Sequence, residues 1–237
     1  MGSIPLFAPL YALKRQAKRR ARQHGMPLHV ALDDIARENG FAHWSLLMAR
    51  HAPPDALTQL SRQLQPGRLL LLAARPLQGK TRLGFALMAR ALRAGKHAAF
   101  FSLDCTPAQV HALTAAVDSD GALWGNRFRW DCSDDVCAAH VAAQLQDAPP
   151  DTVVVIDYLQ LLDQRRDHPP VMQQVQALRR LARKRQFTVV VIAQIQRGFD
   201  ETQRDMPGWS DVRLPNPLDA SLFDHRCFVH QGQIAIQ

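Results

Sequence analysis

The chain has 237 residues, 47% of them apolar and 21% charged, and it contains no low-complexity tract. This composition excludes a disordered chain, and the lack of any uninterrupted apolar run of about 18 residues excludes a membrane-spanning helix. A net charge of +8 favours an anionic partner, most simply nucleic acid.

The first 52 residues are the most basic part of the chain. They carry eight Lys or Arg and three Asp or Glu, a net charge of +5. An apolar start followed by "KRQAKRRAR" reverses the charge order of a secretory signal, so we expect a soluble, cytoplasmic protein without a membrane partner. Such a basic segment either binds DNA or is a solvated helix face, and the residues leave both interpretations open. Its candidate DNA contacts are Lys14, Arg15, Lys18, Arg19 and Arg22.

Three helices are predicted in this basic segment. The first covers 9–24, the second runs from 27 to about 39, and the third is "FAHWSLLMARH". Ala36, Gly40 and Leu46 occupy the small, turn and apolar positions of a helix-turn-helix, but the pattern is short. Because the third helix is mainly apolar, a three-helix packing module is slightly favoured over a DNA-reading helix. Its polar side chains are His43, Ser45 and Arg50.

A linker predicted at 53–67 separates this segment from a region in which short apolar runs alternate with amphipathic stretches. We predict strands at 68–74, 97–103, 126–131, 152–157, 188–193 and 226–236, the last as one strand or a hairpin. We predict helices at 80–94, 107–117, 134–147 and 170–186. Runs such as "TVVVID" are apolar throughout, which indicates strands covered on both faces. The fold class is therefore α/β, with a mostly parallel, doubly wound sheet.

The stretch "LLLLAARPLQGKTRLGFALMARAL" has the form of a phosphate-binding loop between a buried strand and a helix. The usual pattern is G-x-x-x-x-G-K-[ST], and Ala74 stands at its first glycine. In such a loop, backbone N–H groups surround the β-phosphate, Lys80 reaches the β and γ oxygens, and Thr81 binds Mg²⁺. The predicted cofactors are therefore ATP and Mg²⁺. The loop residues predicted to contact them are Arg75, Pro76, Gln78, Gly79, Lys80, Thr81 and Arg82.

Three more polar side chains end predicted strands. Asp157 ends "TVVVID" in the form of a Walker B acid, which holds Mg²⁺. Asp104 in "FFSLDCTP" and Gln194 in "VVVIAQIQR" would lie at the same edge, because the carboxyl ends of parallel strands meet there. Asp104 would orient the attacking water as general base, and Gln194 would sense the γ-phosphate. The alternatives are a helix N-cap for Asp104 and an ordinary polar strand end for Gln194.

Five motifs in order give the chain a resemblance to the RecA-like ATPase domain of DnaB-type replicative helicases, over about residues 66–230. They are "AARPLQGKTRLGFALMARAL", "FFSLDCTP", "VVVIDYLQLL", "VQALRRLARKRQFTVVVIAQIQRGFDETQ" and "MPGWSDVR". Members of that family commonly have Ala followed by Arg-Pro in the loop, so Ala74 fits the family pattern. The resemblance implies that Lys80, Thr81 and Asp157 bind phosphate and Mg²⁺ and that Gln194 senses the γ-phosphate.

The same resemblance implies that 163–170 and 197–213 are loops on the carboxyl edge of the sheet, where some of the corresponding loops face DNA in the helicases. Their arginines either contact the phosphate backbone or are solvated. These candidates are Arg165, Arg166, Arg197 and Arg204.

Two departures from the family shape the functional expectation. The family has a catalytic Glu after "FSL", where this chain has the shorter Asp104, and no Lys/Arg pair follows Gln231. The family's amino-terminal helicase domain is replaced by the basic segment. We therefore expect a DnaB-like, slowly hydrolysing ATPase that acts with DNA or a replication or mobile-element complex, and not an autonomous helicase. The expected division is a basic helical segment (1–52), a linker (53–67) and the ATPase domain (68–237).

Two other readings of the sequence remain open. One is a non-enzymatic adaptor that binds a nucleotide or a partner ATPase and delivers it to DNA through the basic segment. The other is a regulator in which residues 1–52 bind nucleic acid and the ATPase core is relict. The oligomeric state also stays open, as does the choice between single- and double-stranded DNA. The four cysteines form no C-x-x-C pair, so reduced thiols are expected.

Overall fold

In a computed structural model, the described residues are 10–45, 47, 56–76, 78–118, 120–165, 168–199, 204–214 and 216–237. They form two compact units, one containing the described residues up to 47 and the other those from 56 onward. No helix in these ranges is long and apolar enough to cross a membrane. The division at 52 and 67 stays a prediction.

The first unit is a helical hairpin with a small core. Its helices are α1 (Leu10–His24) and α2 (Leu28–Glu38). Gly25 links them with a φ of +60°, a left-handed conformation that glycine adopts without strain. Leu13 and Ile35 are fully or almost fully buried in the core between the helices. Of the predicted third helix, Leu46 and residues 48–51, including Arg50, lie outside the described residues.

The second unit alternates strands and helices as the sequence predicts. Its helices are α3 (Ala56–Arg62), α4 (Lys80–Arg93), α5 (Pro107–Val117), α6 (Ala138–Gln144) and α7 (Val171–Arg185). Its strands are β1 (Leu69–Ala74), β2 (Ala98–Ser102), β3 (Phe128–Asp131), β4 (Val153–Asp157), β5 (Thr188–Gln194), β6 (His225–His230) and β7 (Gln233–Ile236). Helix α6 is shorter than predicted because both ends of the segment 134–147 form turns.

The seven strands form one sheet in the order β3-β2-β4-β5-β1-β6-β7. The first six strands in this order are parallel, and β7 pairs antiparallel with β6 as a hairpin. The predicted mostly parallel sheet is confirmed, and the final apolar segment is a hairpin and not one strand.

Helices cover both faces of the sheet. Leu69 and Leu71 of β1 are in one buried cluster with α6 and α7, whereas Leu70 and Leu72 are in a second cluster with α3, α4 and α5. Successive strand residues point to opposite faces, so both faces of this apolar strand are buried. The doubly wound prediction is therefore confirmed, and the carboxyl edge of the sheet is left for function.

Candidate functional site

The loop between β1 and α4 follows the strand residue Ala74 and ends at Gly79, directly before the helix. Ala74 is still a strand residue: it pairs with Gln194, and its carbonyl accepts a hydrogen bond from Ile195 N at 3.0 Å. Its methyl group is fully buried, so this position has no need of glycine. Gly79, directly before α4, has a φ of +78°, which L side chains rarely adopt. The glycine requirement therefore applies to Gly79 and not to Ala74.

Thr81 and Asp157 meet at the start of α4. The Thr81 hydroxyl donates a hydrogen bond to Asp157 Oδ2 at 2.6 Å. Asp157 is only 3% exposed, and its Oδ1 is buried without a hydrogen-bond partner among the described residues. Because a buried carboxylate oxygen requires a partner, this arrangement fits a hydrated Mg²⁺ held by Thr81 and Asp157. Their predicted metal role rests on this fit.

The Asp157 carboxyl has a pKa raised above its usual range. Burial is the main cause, and the nearby Asp104 carboxylate adds to it. The Thr81 hydroxyl and the Lys80 ammonium oppose the shift. The Lys80 ammonium also lies 5.9 Å from the centre of the Tyr158 ring, next to Asp157 in the chain. The two groups predicted to bind phosphate and metal thus lie side by side.

Asp104 follows β2 in a turn organised by Ser102. The Ser102 hydroxyl accepts hydrogen bonds from the backbone N–H groups of Asp104 at 3.1 Å and Cys105 at 3.0 Å. The cap of α5 is Thr106, which forms a capping box with Gln109. The N-cap alternative for Asp104 is therefore wrong. Its carboxylate is exposed at the carboxyl edge, where a general base is predicted.

Gln194 ends β5 and contacts Gln160, a residue that the sequence did not single out. The Gln194 backbone N–H donates to Gln160 Oε1 at 3.2 Å, and the Gln194 carbonyl accepts from Arg213 N at 2.8 Å. Gln160 is 6% exposed and also donates to the Arg213 carbonyl at 2.5 Å. The sequence signal that could have indicated Gln160 is its position as the one amide side chain in the apolar run "YLQLL".

The remaining loop residues have mixed surroundings. The Gln78 carboxamide oxygen accepts a hydrogen bond from Gln231 N at 3.0 Å, which joins the loop to the turn between β6 and β7. Arg75 is partly exposed, whereas Pro76 and Arg82 are exposed. Phosphate contacts by these residues remain predictions.

The loop arginines predicted to contact DNA differ in their surroundings. Arg165 forms an ion pair with Asp135 at 2.9 Å. Arg204 forms a bidentate pair with Asp211 at 2.6 and 3.0 Å, which ties the loop to itself. Arg197 is exposed beside an open cavity of about 740 Å³. Arg166 lies outside the described residues.

The five cations predicted on α1 share one side of that helix, since their spacing brings each within one turn of another. Arg15, Lys18, Arg19 and Arg22 are exposed and Lys14 is half-buried. We call these five residues the α1 basic stripe. None of the five forms an ion pair within the described part of the first unit.

The acidic residues of the first unit are engaged elsewhere. Glu38 accepts hydrogen bonds from Arg20 at 2.6 and 3.2 Å, and Asp34 pairs with Arg37 at 2.8 Å. Asp33 accepts a hydrogen bond from Trp44 N at 2.9 Å. These three carboxylates therefore do not pair with the cations of the α1 basic stripe. His43 and Ser45 are exposed, and His43 Nδ1 lies 3.7 Å from Asp33.

Comparison with known proteins agrees with this geometry. Residues 135–221 match the family DnaB-like helicase C terminal domain. Replicative DNA helicase DnaB of Leifsonia xyli subsp. xyli (strain CTCB07) is 26% identical over 194 residues. That alignment covers 69% of this chain and 42% of the helicase, so the chain spans less than half the length of this relative.

Two solved structures share the fold. A DnaB-like replicative helicase, studied for its interactions with primase, superposes with a TM-score of 0.58 at 17% identity, covering 92% of this chain and 65% of that one. The ATPase domain of G40P superposes with a TM-score of 0.54 at 19% identity, covering 84% of this chain and 83% of that one. The predicted resemblance is confirmed: the chain contains a RecA-like domain similar to the C-terminal ATPase domain of DnaB-type helicases.

Proposed function

We propose that this chain binds ATP with Mg²⁺ at the loop 75–82 and hydrolyses it slowly. The observation that supports this most is the Thr81–Asp157 hydrogen bond of 2.6 Å beside a buried carboxylate oxygen without a partner. Thr81 and Asp157 would hold the ion, and Lys80 would bind the β and γ oxygens. Bound Mg²⁺ would neutralise charge on those phosphates.

Slow hydrolysis follows from the length of the predicted base. Asp104 has one methylene less than Glu, which withdraws its carboxylate by about 1.3 to 1.5 Å from the water it would orient. An error of that size lowers a rate by a factor on the order of 10². Gln194, at the end of the strand adjacent to β1, would contact the γ-phosphate.

DNA is the proposed macromolecular partner. The α1 basic stripe carries cations at regular spacing, and Arg197 is exposed at the carboxyl edge of the sheet. The curated relative is a replicative DNA helicase, and the solved helicase was studied with primase, which supports a role in a replication complex. A non-enzymatic adaptor is the second candidate, favoured by Asp104 in place of the family Glu.

Steady-state ATP turnover by the full chain, without DNA and with single-stranded or duplex DNA, tests this proposal. Light scattering on the same samples gives the oligomeric state. We expect slow turnover that Lys80→Ala removes and that DNA increases. Nucleotide binding with turnover no faster than that of Lys80→Ala would favour the adaptor. The absence of Mg²⁺-dependent nucleotide binding would refute both.

A further inference from the structure

Strand β5 extends past the end of its neighbour β4. Asp157, the last residue of β4, pairs with Ile192, so Gln194 lies two residues further along β5. On its other side Gln194 still pairs with Ala74 of β1. On the side that faces β4, the Gln194 carbonyl accepts a hydrogen bond from Arg213 N at 2.8 Å beside the Ile195–Val212 bridge. The Gln194 N–H lies beyond the last residue of β4 and needs another partner, since backbone groups in a sheet require partners.

The side chain of Gln160 supplies the partner of that N–H and a second donor to the Gln194 carbonyl. Its Oε1 accepts from Gln194 N at 3.2 Å, and its Nε2 lies 3.4 Å from the Gln194 carbonyl oxygen. The same Nε2 donates to the Arg213 carbonyl at 2.5 Å. A carboxamide has the donor and acceptor of a peptide group, so it can extend a sheet edge where the backbone has turned away.

Gln160 is also held rigidly. It lies in the short 3-10 turn 159–161 that follows Asp157, and it is 6% exposed. Leu159 and Leu162 around it are fully buried. Because Gln160 is largely buried, loss of its donor would remove the 2.5 Å hydrogen bond to the Arg213 carbonyl at a cost that water replaces only in part.

We propose that Gln160 is a positioning residue that replaces the missing end of β4 and fixes the backbones of Gln194 and Arg213 relative to Asp157. This inference rests on the proposed hydrolysis, in which Gln194 contacts the γ-phosphate. Gln160 acts through Gln194, so it sets the rate of turnover and leaves ground-state nucleotide binding almost unchanged.

Gln160→Glu tests the donor with little change in shape. An ionised carboxylate would turn an oxygen toward two carbonyl oxygens, whereas a protonated one keeps an O–H donor. Burial raises the pKa of such a carboxyl, so acidification from about pH 8 to about pH 5.5 would restore the contact. The ratio of variant to wild-type turnover would then rise as the pH falls.

A matched control lies elsewhere in the same unit. Gln174 is 1% exposed, accepts from Ala138 N at 2.9 Å, and donates to the carbonyls of Leu162 at 2.6 Å and Pro169 at 2.9 Å. Gln174→Glu makes the same chemical change in a more deeply buried network that reaches the same turn at Leu162 but contacts neither Gln194 nor Arg213. Any general effect of burying a carboxylate would appear in both variants.

Two readouts on the full-length variants decide the matter. For Gln160→Glu at about pH 8 we expect kcat about 10-fold or more below wild type, with the Kd for Mg-ADP within about threefold. Amide hydrogen exchange should accelerate in peptides covering 194–199 and 208–214, and Gln174→Glu should show neither change. The inference is overturned if Gln160→Glu matches Gln174→Glu in kcat, or if exchange in those peptides stays at the wild-type rate.

The exchange readout separates this inference from the proposed function. If wild-type protein does not hydrolyse ATP, the proposed function fails, and exchange in peptides 194–199 and 208–214 alone decides on Gln160. Accelerated exchange confined to those peptides would then support the positioning role. Unchanged exchange would refute it independently of any ATPase result.

Discussion

Thr81 Oγ1 donates a hydrogen bond to Asp157 Oδ2 across 76 residues of sequence, at 2.6 Å. This contact joins the first turn of α4 to the end of β4, and it leaves Asp157 Oδ1 without a hydrogen-bond partner among the described residues. The side of the candidate site that we propose to bind Mg²⁺ is therefore already ordered without nucleotide, which would lower the cost of ordering it on binding.

Asp157→Asn is expected to stabilise the nucleotide-free protein while removing Mg²⁺-dependent ATP binding. The fold raises the pKa of Asp157, chiefly through burial, so its ionised form is less stable in the folded protein than in the unfolded chain. Asparagine removes the buried charge and can still accept from Thr81. Denaturant unfolding at about pH 7.5 would show a larger free energy of unfolding for the variant.

The pH dependence gives this prediction a second check. The destabilising contribution of Asp157 is fully present above its raised folded pKa and absent below its lower unfolded pKa. The advantage of Asp157→Asn should therefore shrink as the pH falls through that window. A variant less stable than wild type at neutral pH would contradict this account of the buried carboxylate.

Gly84→Ala is expected to destabilise the second unit although alanine favours helices. A Cβ at Gly84 would lie 3.1 Å from Val155 Cγ1 and 3.3 Å from Ile192 Cδ1, so these side chains or α4 would have to shift by a few tenths of an ångström. Overpacking of this kind costs about 1 to 3 kcal/mol, against a gain of up to about 1 kcal/mol in helix propensity. We expect a net loss of about 1 kcal/mol by denaturant unfolding.

A double-mutant cycle controls for the site of this change. Val155→Ala removes the methyl group nearest the new Cβ, so the double variant should be more stable than the sum of the single effects predicts. Additive effects, or a Gly84→Ala protein more stable than wild type, would show that α4 and the sheet are not in close contact here.

Asp104→Glu is expected to raise ATP turnover. The longer side chain would return the carboxylate to the reach of a family glutamate, and a gain of about 10-fold or more in kcat is expected with Mg-ADP affinity unchanged. Single-turnover kinetics would measure the chemical step. A decrease would mean that Asp104 is already placed for its role, with Asp104→Asn as the control for loss of the base.

Replacing Lys18 and Arg22 of the α1 basic stripe with Ala is expected to lower the affinity for duplex DNA. It should also make that affinity less dependent on salt concentration. Each lost phosphate contact lowers the slope of log affinity against log salt by about 0.9. Fluorescence anisotropy over a salt series would measure the slope. Arg93→Ala with Lys184→Ala removes the same charge from exposed positions in the second unit. Equal slopes for the two double variants would refute a specific role for the stripe.

The strands and the loop were predictable because their signals are local. The apolar runs of β1, β4 and β5 predict buried strands without reference to distant residues. The sequence Gly79-Lys80-Thr81 likewise predicts a turn at glycine followed by the start of a helix, which the structure shows. Asp157 and Gln194 could be placed at one edge since the carboxyl ends of parallel strands meet there.

The contacts that connect distant segments were not predictable. Gln160 contacts Gln194 because β5 extends two residues beyond the end of β4. Apolar runs in the sequence do not locate the end of a strand to within two residues. Arg204 was predicted as a DNA contact, but whether its partner would be Asp211 depends on the path of the loop. The same limitation applies to the contact between Gln78 and the hairpin turn.

Equilibrium titration of the full chain with ATP, with and without Mg²⁺, tests the central claim most directly. We expect saturable binding that Mg²⁺ strengthens and that Lys80→Ala weakens by about 100-fold, since the ammonium contacts the β and γ oxygens. Lys96→Ala, outside the loop, should bind as the wild type does. Binding that is absent, or that is the same with Lys80 and with Ala at that position, would contradict the assignment of the loop 75–82 as an ATP site.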